Sequence, residues 1–337
     1  MIEVALDVMG GDHAPDAVLD GALQAVAQGF VPAANLHLLG PLTVVQEGLR
    51  KRGVPVDRFP LVDAPDVLTF EDSPVDAMRK KPRNSIAMGI QMLQTKRAHA
   101  FVSAGSTGGV VATATLGLKC LEGIRRPGIA VTIAGGGGPI VILDVGANPQ
   151  PKPQHLLHYG LMGSAYHHDT FGTEKPRVGL MNIGSEDGKG NPLVKEASQM
   201  LKDAPLNFIG NVEGTDVFND VCDVVVCDGF TGNVLLKTSE GVAEYLMRCV
   251  HGYLEEARVA PELRKTVMGK LHARADYSEY GGALLLGIEG IVTICHGRSG
   301  PRAIANAVRF ASKAVGADVN DHIIAAVRGL TTRPNPA

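Results

Sequence analysis

Short apolar runs alternate with amphipathic stretches along most of this chain. Residues 3–8 (EVALDV), 36–39, 98–102, 129–133, 140–145, 178–183, 207–209 and 223–227 (DVVVC) are aliphatic and often β-branched, and they read as strands. Most are continuously apolar, the pattern of strands covered on both faces of a parallel sheet. Between them, residues 16–28, 43–51, 85–94, 110–119, 156–167, 193–201 and 234–254 carry apolar side chains at helical spacing, such as Val18, Leu19, Ala22, Ala25 and Val26 in the first. Residues 61–63 open a loop rich in Pro and Asp that runs past Pro74. After 254 the texture changes. Pro261 starts a helix bearing Arg264, Lys265, Lys270 and Arg274, residues 277–282 form a polar turn, 283–288 and 291–294 are apolar strands or loops, and 301–315 and 320–327 close the chain as helices.

Strands alternating with helices predict an open, mostly parallel α/β sheet with flanking helices, a single unit over residues 1–330 with no repeat and no linker. The residues that break the pattern stand after strands. They are Asp7 and the 9–15 loop (MGGDHAP), 103–109 (SAGSTGG), 144–149 (DVGANP), 184–192 (GSEDGKGNP), 210–214 (GNVEG) and 228–233 (DGFTGN). In open α/β sheets ligands lie beyond the carboxyl ends of strands, where backbone N–H groups and helix dipoles favour an anion. The 221–237 stretch shows the unit in full: a buried strand, a Gly-containing turn, Thr231 as N-cap, and Asn233 offering its amide to the turn.

Composition narrows the function. The 45% apolar content indicates a large core, and 41 glycines favour tight turns over a helical bundle. Aromatics at 4%, with no Trp, argue against a stacking platform for nucleic acid. A net charge of −3 gives no global attraction to nucleic acid or an anionic membrane. Five cysteines without a CxxC pair fit a reducing cytoplasm, with thiols as core residues. No basic-then-apolar leader and no apolar run near the ~20 residues of a membrane span are present, so a soluble cytoplasmic protein is expected.

Asp12, His13, Ser103, Ser106, Thr107, Asp144, Asn148, Asn182, Glu186, Lys189, Asn211, Glu213, Asp228, Thr231 and Asn233, with Gly10, Gly11, Gly105, Gly108, Gly229 and Gly232, then describe one polar crevice for a phosphate- or carboxylate-bearing ligand. Each alone also serves as an ordinary cap or turn residue. Residues 184–190 lack the spacing of a Walker A loop, and no GxGxxG or GxSxG follows a strand. His167-His168-Asp169 is a metal tripod only on paper, because adjacent helix residues do not face one another, and solvated surface is the expectation. His13 beside Asp12 reads as a hydrogen-bonded loop histidine. No metal and no cofactor are predicted.

Residues 7–15 (DVMGGDHAP), 103–108 (SAGSTG), 143–148 (LDVGAN), 182–187 (NIGSED), 208–213 (FIGNVE) and 228–233 (DGFTGN) stand in an order that closely resembles the bacterial phosphate acyltransferases of phospholipid synthesis. The resemblance runs from Met1 to about Val327. It implies a Rossmann-like fold similar to isocitrate/isopropylmalate dehydrogenases and phosphotransacetylases, a homodimer, and transfer of a fatty acyl group from acyl carrier protein to inorganic phosphate. Val8, Ser106 and Arg298 depart from the usual Ala, Asn and Ser, and Ser106 forgoes an amide.

In such a reaction phosphate is the nucleophile, so no covalent enzyme intermediate is required. Lys189 is expected to bind phosphate or the developing charge, Asn233 to donate to the thioester carbonyl oxygen, and His13 to orient phosphate or protonate the leaving thiolate. A thiol of pKa roughly 8.5 needs little acid help to leave. The acidic carrier needs a basic landing surface, for which Arg79, Lys80, Lys81 and Arg83 or the 261–274 helix are candidates by charge. The segment at about 240–276 is equally a candidate dimer face, or a peripheral contact with the inner face of the cell membrane where a partner acyltransferase resides. Two rivals stay open: a phosphotransacetylase-type enzyme using acyl-coenzyme A, and a non-catalytic acyl-binding scaffold.

Overall fold

A computed structural model describes residues 1–68, 79–275 and 280–331. The end of the Pro- and Asp-rich loop, the first half of the 277–282 turn and the Arg274 side chain lie outside them. In chain order the elements are β1 (Val4–Asp7), α1 (Asp16–Ala27), β2 (Leu36–Gly40), α2 (Leu42–Lys51), β3 (Leu61–Asp63), α3 (Ser85–Gln94), β4 (Ala100–Ser103) and α4 (Thr107–Gly117). Then come β5 (Gly128–Ala134), β6 (Pro139–Leu143), α5 (Pro153–Phe171), β7 (Arg177–Met181), α6 (Pro192–Asp203), β8 (Asn207–Val212) and β9 (Val224–Val226). The remainder is α7 (Gly229–Glu256), α8 (Pro261–Ala275), β10 (Ala283–Leu286), β11 (Ile291–Ile294), α9 (Pro301–Gly316) and α10 (Val319–Thr331). Residues 61–63 are thus an edge strand paired with β2, where the sequence suggested a loop.

All eleven strands among the described residues join one sheet in the order β3-β2-β1-β4-β11-β10-β5-β6-β9-β7-β8. Successive side chains point to opposite faces, and both faces are covered. Val4, Leu6, Val102, Leu143 and Val226 enter one buried cluster under α1, α5, α6 and α9. Ala5, Phe101, Ile142 and Val225 enter the other under α3 and α4. This double covering is why the strands read as unbroken apolar runs.

Strand direction fixes where the site residues go. β1, β2, β3, β4 and β11 are parallel to one another, and so are β6, β7, β8 and β9. Between the two groups lie three antiparallel pairings, β11 with β10, β10 with β5, and β5 with β6. Three reversals leave the second group running opposite to the first. The carboxyl ends of β1, β4 and β11 therefore open on one edge of the sheet, and those of β6, β7, β8 and β9 on the other. The motif residues that the sequence suggested for one crevice stand on two opposite edges of the subunit.

Candidate functional site

Three loops meet at the first edge. Asp12 N–H donates to the Gly297 carbonyl at 2.7 Å, and a Cβ on Gly10 would stand 2.6 Å from Gly105 N and 2.7 Å from Asp7 Oδ2. Only glycine lets these backbones approach so closely. Beneath them Asp7 is buried; Ser103 Oγ donates to its Oδ2 at 2.7 Å and Met9 N–H to its Oδ1 at 3.0 Å. Burial raises the Asp7 carboxyl above its ordinary range, opposed by bonds from Ser85, Ser103 and the Met9 and Gly10 backbone. Ser103 Oγ in turn accepts from Gly105 N–H at 3.0 Å. Ser106 caps α4, accepting from Gly109 N–H at 3.4 Å. Asp12, His13, Ser106, Thr107 and Gly108 remain exposed on the rim. Arg298 is exposed here too, in a strand–Gly turn–Pro-started helix unit like the others, a signal that the sequence reading noted only as a departure.

At the second edge most of the candidate polar residues are occupied in holding turns. Asp144 is fully buried and accepts from the N–H groups of Ile129, Gly146, Ala147 and Asn148 at 2.7–3.1 Å. Asn148 donates through Nδ2 to the Pro127 carbonyl at 2.6 Å and bonds Tyr159 Oη at 2.8 Å. The N-cap of α7 is Asp228, which accepts from Phe230 N–H, Thr231 N–H and the Thr231 hydroxyl. Thr231 is therefore not the cap. The helix starts at Gly229, because Gly229 and Gly232 let its first turn press on residues 144–148; a Cβ on Gly232 would stand 2.0 Å from the Asp144 carbonyl oxygen. Asn233 lies one turn inside the helix, exposed.

The 182–191 loop beside it is pinned by side-chain amides. Asn182 donates to the Lys189 carbonyl at 3.2 Å and Asn211 to the Glu186 carbonyl at 2.9 Å. Asn191 caps α6 by accepting from Val194 N–H. Glu213 is half-buried, its N–H bonded to Asp216. Lys189 is 51% exposed and lies 3.9 Å from Glu186 Oε1, itself 68% exposed, a solvated ion pair of little strength. At the same edge, Ile183 is 82% and Phe230 67% exposed. Lys189 and Asn233 thus share the second edge, while His13 belongs to the first.

Other candidates are settled by burial. His167 is buried, not solvated, with Nε2 3.0 Å from the Pro139 carbonyl. Asp169 lies between His168 and His322, 2.8 and 2.9 Å away. Burial pushes the Cys222 and Cys295 thiols up to about 12 and raises Cys227 well above the ordinary range, so none of the three supplies a thiolate nucleophile near neutral pH. In the basic run Arg83 pairs with Asp63 at 2.9 Å and Lys81 Nζ donates to the Val67 carbonyl, while Arg79 and Lys80 are exposed. On α8, Arg264 pairs with Glu255 at 2.9 Å, and Leu263 and Leu271 face solvent. Among the described residues no helix is long and apolar enough to cross a membrane.

Residues 2–322 match the family described as "Fatty acid synthesis protein". The phosphate acyltransferase of Heliobacterium modesticaldum is 43% identical over 323 residues, 93% of this chain and 94% of that protein. That of Dictyoglomus thermophilum is 39% identical over 342 residues, 98% and 99% of the two chains. A phosphotransacetylase from Streptococcus pyogenes superposes with a TM-score of 0.62 at 17% identity, over 94% of each chain. A 4-hydroxythreonine-4-phosphate dehydrogenase from Klebsiella pneumoniae does so with 0.52 at 12% identity, over 92% of this chain and 98% of that one. The last two likenesses concern the fold.

Proposed function

This chain belongs to the phosphate acyltransferase family, and from that premise we propose that it transfers a long-chain fatty acyl group from acyl carrier protein to inorganic phosphate. The product is acyl phosphate, a mixed anhydride, and the reaction is reversible. A phosphate oxygen attacks the thioester carbonyl, the tetrahedral oxyanion collapses, and the carrier's thiolate leaves. Every electron pair is accounted for without an enzyme nucleophile. The observation that carries this reading is the second edge, where the loops after the neighbouring strands β7 and β9 expose Lys189 and Ile183 on one side and Asn233 and Phe230 on the other. That is a cation for phosphate, a donor for the oxyanion and a surface for an acyl chain. The raised cysteine thiols and the Ser103 hydroxyl committed to Asp7 agree with phosphate as the nucleophile.

The same reading assigns a homodimer. The apolar residues of α7 (Phe230, Val234, Val242, Tyr245, Leu246 and Tyr253) are exposed along a helix of 28 residues, about 42 Å. A two-fold pairing through this surface is self-complementary, and we infer that it sets the second edge of one copy against the first edge of the other. It would bring Lys189 and Asn233 to the loops bearing His13, Thr107 and Arg298. Acyl carrier protein, an acidic partner, docks on exposed basic side chains such as Arg79 and Lys80. The enzyme works in the cytoplasm, touching the inner face of the membrane through the α7–α8 hairpin, where a membrane acyltransferase takes the product.

The test is acyl phosphate formation from palmitoyl-acyl carrier protein, trapped as hydroxamate, with palmitoyl-coenzyme A run alongside. Product that requires phosphate and prefers the carrier thioester is expected. A preference for coenzyme A would replace the donor, and no product from folded protein with either donor would reject the reaction.

A further inference from the structure

Acyl transfer as described above leaves unused the groove between α7 and α8. Residues 257–260 join the two helices, a link so short that it sets them antiparallel. Arg264 Nη1 donates to Glu255 Oε1 at 2.9 Å and fixes how the helices slide against each other. One turn further from the link stand His251 on α7 and Met268 on α8, and one turn beyond those stand Met247 and His272. Residues four apart share a helix face. The contact of Glu255 with Arg264 therefore continues as two rungs, His251 opposite Met268 and Met247 opposite His272. All four line one cavity of about 290 Å³ between the helices, together with Glu244 and Arg248.

The donors are two thioethers and two imidazoles, crossed so that each helix offers one of each. Met247 and Met268 are half-buried, and His251 and His272 are exposed. The two rungs lie about 6 Å apart along the helices, four residues at 1.5 Å each, the spacing at which ligands on one helix face hold a single ion. Glu244 is answered by Arg248 at 3.9 Å on the same helix, so the lining carries no net charge. Val242, Tyr245, Leu246 and Tyr253 project from the other half of α7, which keeps this groove apart from the proposed dimer face.

We propose that Met247, His251, Met268 and His272 form a binding site for a soft monovalent metal ion, Cu(I). Thioether sulfur is a soft donor that selects Cu(I), and imidazole also suits copper. Mg(II) and Ca(II) need oxygen ligands, and structural Zn(II) sites are commonly built with thiolates. Among the described residues no group of three His, Cys, Asp or Glu could hold a metal ion, so without the methionines there is no site. A bound ion ties α7 to α8 beyond the Arg264–Glu255 pair.

The test titrates the full chain with Ag(I), a soft monovalent ion of fixed oxidation state, and with Cu(I) held reduced by ascorbate without oxygen. Methionine-methyl and histidine-ring NMR signals are followed. The five cysteine thiols also take such ions, so the titration runs past five equivalents, and the four assigned residues rather than total uptake are the readout. Signals of Met247, His251, Met268 and His272 are expected to move together to one saturated end-point. The free ion needed for half-saturation, read at the two histidines, should rise at least about tenfold in M247L/M268L, the low end of what even an outer-shell change costs a metal site. Leu for Met conserves volume. H251Q/H272Q, altered at exposed side chains and read at the methionines, decides the matter should the first variant fail to fold. Signals that stay still, that move independently, or that saturate at unchanged ion concentration in the folded variants overturn the proposal. So do methionine signals moved as readily by Zn(II). No turnover is measured, so the outcome stands apart from acyl transfer.

Discussion

At the ends of β1 and β6 the chain makes the same local move: a buried aspartate, then glycines, then a helix set against the turn. The two aspartates are supplied very differently. Asp144 accepts four backbone N–H bonds and closes its turn into a fixed unit against α7. Asp7 is as deeply buried, but its bonds come from the Ser103 hydroxyl, the Met9 N–H, Ser85 and the Gly10 backbone, and burial still raises its pKa. One aspartate is a structural acceptor. The other is a carboxylate held partly by hydroxyls beneath loops whose outer residues face solvent. Similar motifs at strand ends do not imply similar jobs; the kind of donor separates them, four backbone N–H groups at Asp144 against two hydroxyls and two N–H groups at Asp7.

The largest effect should come from Asp144→Ala. It strands the buried Ile129 N–H, a cost of roughly 1–3 kcal/mol, and unties three N–H groups of a partly exposed turn, so a loss of about 2 kcal/mol or more is expected in urea unfolding. Asp7→Ala should lose clearly less. Equal losses would erase the distinction between the two turns.

Next is Lys189→Ala, at a side chain half in water. Acyl phosphate formation should fall about 10²–10³-fold, as for loss of one transition-state donor, with stability changed by less than about 0.5 kcal/mol. The edge comparison sharpens this. Mixing inactive Lys189→Ala subunits with subunits inactivated at Thr107 on the first edge should restore about a quarter of the activity if each site draws on both copies, because half the dimers are mixed and each holds one intact site. No recovery from verified mixed dimers would confine the site to one copy.

Much of this was legible in the sequence. Buried strands and amphipathic helices announce themselves by period, and α3 and β11 fall on the predicted residues. Strand direction was not legible. β10 and β11 come from the far end of the chain and enter the middle of the sheet, and nothing near residues 283–294 tells that β10 runs against β5. That reversal sends two sets of motifs to opposite edges. The cap of α7 shows the limit at short range. Both Asp228 and Thr231 are good cap residues, and what decides between them is the fit of Gly229 and Gly232 against residues 144–148, a tertiary contact. His167 escaped for the same reason, since only the fold places a carbonyl before it.

A smaller effect distinguishes glycines at the first edge. Gly10→Ala puts a Cβ 2.6 Å from Gly105 N, a backbone atom that cannot swing away. It should cost about 1–3 kcal/mol, the usual range for overpacking. Gly108→Ala meets nothing nearer than Ser106 Oγ at 4.0 Å and sits in α4. It should add up to roughly 1 kcal/mol from helix propensity. Two losses of similar size in thermal or urea unfolding would mean that the loops at this edge do not approach as closely as described.

The smallest effect, and the one most specific to Asp7, is a pH dependence. Its carboxyl is raised in the folded state, with burial the main cause. A raised acid gives the fold an advantage that is complete below the unfolded carboxyl value, roughly 3.9, and that is lost as pH rises through the higher folded value, because the unfolded chain sheds the proton first. Asp7→Asn keeps an acceptor for Ser103 and removes the titration. The stability of the wild type relative to Asp7→Asn should therefore decline with rising pH from about 4, then level once Asp7 is ionised in the folded state. Urea midpoints of the two proteins, taken across that span, measure it. A difference that is constant with pH, or that grows in favour of the wild type, would mean that burial does not raise the first-edge carboxyl in the folded state.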